Sequence, residues 1–237
     1  NFLKSSLLLV SAVLGIIIYA FLNKYSNNEY VDQTNVAKRK KITNENVNEL
    51  IKILREYDKN FIPKKIISSD GKISYKYNFI EGEQKLTLNE IKNKMRNPPE
   101  NNFEAEFIKN SVIMLNNSDI DIILEKPKII GASAEWEYKN KIVRFNPRIL
   151  KLGTRAFAKA MNHEIIHIIQ SCLGGNFRKA PVLIGLKINN KKKIVKRYLN
   201  NPIYSNISKD IFEIEVEAYS YQDNLSFSQK AFTKFCL

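Results

Sequence analysis

The 237 residues contain two histidines, and both fall in the run Met161 to Gln170, which reads His-Glu-Ile-Ile-His at 163–167. If the run is helical, His163 and His167 lie one turn apart on one face, near enough for both imidazoles to reach a single cation. Glu164 stands beside the first histidine and can reach a water on that cation without binding the cation itself. Thr154 predicts the helix start as an N-cap, Gly174-Gly175 predicts its end, and no Gly or Pro lies between. Phe157, Met161, Ile165 and Ile168 recur at helical spacing, roughly opposite His163, His167 and Gln170. Ile166 and Ile169 make a third side apolar, so the helix is expected to be buried. Two imidazoles and a carboxylate carried inside a protein are costly without partners, and a metal ion supplies them. A pair of satisfied core histidines is the plainer reading. It leaves unexplained why the whole histidine content sits at ligand spacing.

Ser208 predicts the cap of a second helix over Asp210 to Asp223, with Glu213, Glu217 and Tyr221 on one face. Two imidazoles and one carboxylate leave a fourth position for water, the pattern of a catalytic rather than a structural zinc site. An HExxH helix followed by a helix bearing Glu217-Ala218 resembles the gluzincin branch of zinc metallopeptidases, over about residues 133–223. The resemblance implies an α+β, zincin-like domain: a small edge-strand sheet on the HExxH helix, then a C-terminal glutamate-bearing helix. It implies Zn2+ held by His163, His167 and Glu217, with Glu164 as general base toward a peptide or protein substrate. Many gluzincins carry an aspartate four residues after the ligand glutamate, where this chain has Tyr221. The other assignment, Glu213 as ligand and Glu217 as the orienting carboxylate, has the same spacing and stays open. Glu215 reads as a solvated acidic residue. With no third histidine, the donor to a developing oxyanion falls to Tyr, Arg, Asn or backbone. Tyr204, Tyr219 and Tyr221 are candidates, and Tyr221 is carried with Glu164 as catalytic. Gln170, one turn past His167, is a candidate to orient the ligands.

Lys and Arg outnumber Asp and Glu by 38 to 24, a net charge of +14. That balance favours anionic neighbours. No nucleic-acid-binding motif accompanies it, so no specific nucleic acid is expected. Two cysteines exclude a zinc ribbon and a disulfide-dense scaffold. Cys172 and Cys236 read equally as a bond tying the C-terminus to the histidine helix and as two buried thiols.

No charge occurs between Lys4 and Lys24, a nearly apolar stretch that spans about 28 Å as a helix. Residues 1–24 are therefore expected to be a single transmembrane anchor or signal segment, residues 25–45 a polar tether, and residues 46–237 the metallopeptidase-like domain. Within it, 46–120 is expected to be a helical N-terminal part and 121–237 the zinc-binding core. Lys24 and Lys38–Lys41 after the span argue for a cytoplasmic domain by the positive-inside rule, and a disulfide would argue the opposite. The extracytoplasmic side is favoured. Ser133–Tyr138 and Lys141–Phe145 alternate about a turn and predict a hairpin just before the histidine helix, with an edge able to hold an extended peptide. Pro147 either ends its second strand or places it at a sheet edge.

Overall fold

Val47, Leu50 and Leu54 recur on one helical face and are the buried residues of α1 (Val47–Asp58). The same logic builds α3 (Asn102–Asn117), which buries Phe107, Ile108, Val112 and Leu115. Between them α2 (Leu88–Arg96) opens on a capping box, Thr87 with Glu90. The computed structural model describes residues 40–78, 85–200 and 202–237. The expected membrane span at 1–24 lies outside the described residues. Among those described, no helix is long and apolar enough to cross a membrane.

The main sheet has the order β1-β4-β6-β5: β1 is Lys40–Ile42, β4 Asp121–Leu124, β5 Ala134–Glu137 and β6 Ile142–Phe145. A separate hairpin joins β2 (Lys64–Ile67) to β3 (Ile73–Lys76). The predicted hairpin of β5 and β6 forms, pairing Trp136 with Val143 across an antiparallel ladder. β4 runs parallel to β6, and β1 is antiparallel to β4. The expected tether at 25–45 thus contains a sheet strand. Ile42 is 2% exposed and pairs with Ile122, which draws Lys40–Ile42 into the ladder despite its flanking lysines. β5 is an edge strand, whereas Pro147 opens the 3-10 turn Pro147–Leu152 that follows β6.

That turn leads into α4 (Gly153–Leu173), whose apolar stripe of Phe157, Met161, Ile165 and Ile168 is 0–1% exposed. Thr154 is not its cap. Asp58, at the end of α1, accepts from the Thr154 backbone N–H at 2.8 Å and the Thr154 hydroxyl at 2.7 Å. A carboxylate from a neighbouring helix therefore satisfies the first amides of α4 and complements its dipole. The approach is close: a Cβ on Gly153, whose φ is +79°, would lie 2.1 Å from Asp58 Oδ1. Trp136 Nε1 donates to Ser171 at 2.9 Å in the interior, which fastens β5 to α4.

The chain continues through a short α5 (Lys191–Ile194) into a π-helical turn (Val195–Leu199), then α6 (Lys209–Tyr221) and α7 (Leu225–Cys236). Ser208 caps α6 as predicted, accepting from the Ile211 N–H at 3.3 Å. The amphipathic α7 was not anticipated. It packs Leu225, Ala231 and Phe232 against the same core that α1 and α3 bury, so the two expected halves share one interior. Cys172 and Cys236 are disulfide-bonded, with Cα atoms 5.3 Å apart.

Candidate metal centre

α4 and α6 run side by side in opposite directions, and facing residues of the two helices, with Asp223 just past the end of α6, make three rungs. Lys159 pairs with Asp223 at 2.5 Å. The His163 ring lies 4.4 Å from that of Tyr219. His167 Nε2 lies 3.4 Å from Glu215 Oε1. Each rung is four residues from the next on both strands, as one helical turn requires. Asn162 holds this register. Its amide donates to the carbonyls of Tyr221 and Gln222 at 2.9 Å each, and its oxygen accepts from Ser228 of α7.

At the middle of the ladder three donor groups converge. The two Nε2 atoms are 3.0 Å apart, and each is 3.4 Å from an oxygen of Glu215. Ligand atoms about 2.0–2.1 Å from a tetrahedral zinc lie about 3.3 Å from one another, so this triangle has the size the ion requires. Both imidazoles are under 10% exposed. Glu215 Oε2 is buried with no hydrogen-bond partner, its nearest imidazole nitrogen being too far for a good one. A carboxylate oxygen left so inside a protein is costly, and a cation at the centre of the triangle would satisfy it.

Protonation also fits. Burial alone would lower the His167 imidazolium, but Glu215, with help from Glu164, raises it to about 9. Burial raises the Glu215 carboxyl, and the two histidines outweigh that and hold it far below the usual range. Glu215 thus favours positive charge on the His167 side of the cluster, which a proton or a metal can supply.

Glu217, expected as the third ligand, lies elsewhere. Two residues apart on a helix point to nearly opposite sides, and Glu217 is turned from the imidazole pair. Its oxygens accept from the backbone N–H groups of Ile184, Gly185 and Leu186, each at 2.9 Å, and from Gln170 Nε2 at 2.9 Å. Because Nε2 of Gln170 is committed there, its Oε1 takes the proton of His167 Nδ1 at 2.7 Å. Once the ring gives up its second proton, His167 Nε2 is thereby the lone-pair nitrogen, aimed at His163 and Glu215. Glu217 and Gln170 therefore orient a ligand from behind. Glu213, the other candidate, is engaged by Lys191 Nζ at 2.6 Å. Glu215, read from the sequence as solvated, is the carboxylate at the imidazoles.

Glu164 is 5% exposed and accepts a hydrogen bond from the Trp136 backbone N–H, on the open side of edge strand β5. Burial raises its carboxyl, and the neighbouring histidines pull the other way. Tyr221, expected as catalytic, is also elsewhere: its hydroxyl donates to the Lys187 carbonyl at 3.0 Å, and its ring lies 4.7 Å from Phe227. Tyr219 takes the position beside His163, with the Tyr204 hydroxyl 2.7 Å from its own. Burial pushes the Tyr219 hydroxyl up to about 12, and burial with the Glu215 charge pushes Tyr204 higher. Both therefore stay protonated and able to donate near neutral pH. No family model, curated protein or solved structure matches this chain.

Proposed function

We propose that this chain is a zinc-dependent peptidase with His163, His167 and Glu215 as ligands and Glu164 as general base. One observation carries the reading: three donor atoms form a zinc-sized triangle beside a buried carboxylate that is not one of them. A structural site closes all four positions with protein ligands and has no use for that carboxylate. Zinc held there would polarise a carbonyl and a water at its open position. Glu164, steadied by the Trp136 N–H, would take a proton from the attacking water and return it to the leaving amine. Tyr219, whose ring lies against His163, and Tyr204, hydrogen-bonded to it, would supply the donor to an oxyanion. The open edge of β5 beside Glu164 suits an extended peptide backbone. The same reading places the domain outside the cytoplasm behind an anchor at 1–24, which the Cys172–Cys236 bond supports.

The test is Glu164→Gln. It should retain one zinc per chain and lose at least a hundredfold in hydrolysis of a peptide library. Equal cleavage by wild type and variant would discard the mechanism. Zinc in both without cleavage in either would leave a zinc-stabilised binding protein.

A further inference from the structure

The ladder between α4 and α6 does not end at the imidazoles. One turn toward the start of α4, its first rung, Lys159 with Asp223, forms part of the wall of an open cavity of about 470 Å3. That volume falls within the range of ligand sites. Lys94, Arg155 and Arg197 join Lys159 around it, against Glu104 and Asp223. Lys159 is already neutralised by Asp223, so the three remaining cations face one carboxylate. A concave surface with a net positive lining focuses its field more than scattered surface charge does. Phe103 and Leu225 add apolar wall.

Arg197 reaches this cavity from the π-helical turn, whose Asn200 N–H bonds the Val195 carbonyl at 3.1 Å. Such turns carry an extra residue and re-aim side chains. Here the turn stacks Tyr198 on Tyr219 at 4.5 Å and 5°, with the Arg197 guanidinium 5.1 Å from the Tyr198 ring. Tyr198 thereby links Arg197 of the cleft to the ring beside His163.

The geometry points to this cleft as the subsite for an acidic side chain of the substrate. The assignment rests on the peptidase reading and specifies its substrate class. A nucleic acid fits less well, because two carboxylates and an apolar wall interrupt the basic surface.

Binding and cleavage separate the two ideas. Fluorescein-labelled hexaglutamate and hexaglutamine are titrated onto the Glu164→Gln protein and followed by anisotropy at physiological ionic strength. The acidic peptide should bind at least tenfold tighter. Arg155→Glu with Arg197→Glu should abolish that preference, and Lys94→Gln should reduce it at least threefold, with circular dichroism unchanged. Equal binding of the two peptides overturns the proposal, as does full acidic-peptide binding by both variants. An oligothymidylate that binds as tightly and is lost with the same variants overturns it in favour of a nucleic-acid site. If hexaglutamate behaves as expected but zinc-loaded wild type cleaves no peptide, the peptidase reading falls and the acidic-peptide cleft stands.

Discussion

Glu217 accepts a hydrogen bond from Gln170 Nε2 at 2.9 Å, and through that amide it governs His167 without touching the imidazole pair. Glu215, two residues earlier on α6, has the opposite assignment: its oxygens face both Nε2 atoms and little else. Two carboxylates of one short sequence thus meet the histidine pair in different ways, one directly and one through Gln170.

Glu215→Gln should abolish stoichiometric zinc, because the triangle loses its charged corner. Glu217→Gln should retain zinc but bind it about 10–100-fold more weakly, the usual cost of losing an outer-shell partner. Competition against a chromophoric chelator reads both. Equal loss in the two variants would mean that Glu217 binds the ion directly.

Zinc uptake should release protons. His167 is held up to about 9, so at pH 7 its imidazolium must give up a proton before its nitrogen can bind metal. Calorimetric titration in two buffers of different ionisation enthalpy should therefore report about one proton released at pH 7. The histidine's share of that count should fall away as the pH passes 9, where any proton still released comes from the water on the ion. A pH-independent count near zero would show that the imidazoles are already neutral.

Gly153→Ala should destabilise the fold by at least about 2 kcal/mol, combining a left-handed φ with a clash against Asp58. Asp58→Ala removes the clash and also the cap, and should cost about 2 kcal/mol alone. Made together, the changes should cost less than their sum, because the alanine at 153 then meets open space. Urea denaturation measures all three; strict additivity would refute the close approach.

The Cys172–Cys236 bond joins the end of α4 to the end of α7 across 64 residues. A loop of that length stabilises by roughly 4 kcal/mol through the unfolded chain. Cys236→Ser should lower urea stability by about 2–4 kcal/mol while leaving zinc stoichiometry intact, since α7 still packs through Phe232 and Leu225. Loss of zinc on reduction would show that α7 holds the register of α6.

The element boundaries were largely legible because local rules set them. Thr87 with Glu90 closes a capping box, Ser208 caps α6, and the alternation either side of Lys139–Asn140 makes the β5–β6 hairpin. His163 and His167 come together for the same reason: four residues on one helix are one turn.

Which glutamate meets them is not a local property. Glu213, Glu217 and Tyr221 repeat every four residues, and so do Glu215, Tyr219 and Asp223, so spacing cannot choose between the faces. The choice follows from the rotation of α6 against α4, set by Asn162 on the Tyr221 and Gln222 carbonyls and by Lys159 on Asp223. The demand of the 184–186 amides for a carboxylate then claims Glu217. A cap for α4 supplied by Asp58 is likewise invisible in one dimension, because 96 residues separate it from Thr154. Periodicity reports which residues share a side; only packing decides what that side confronts.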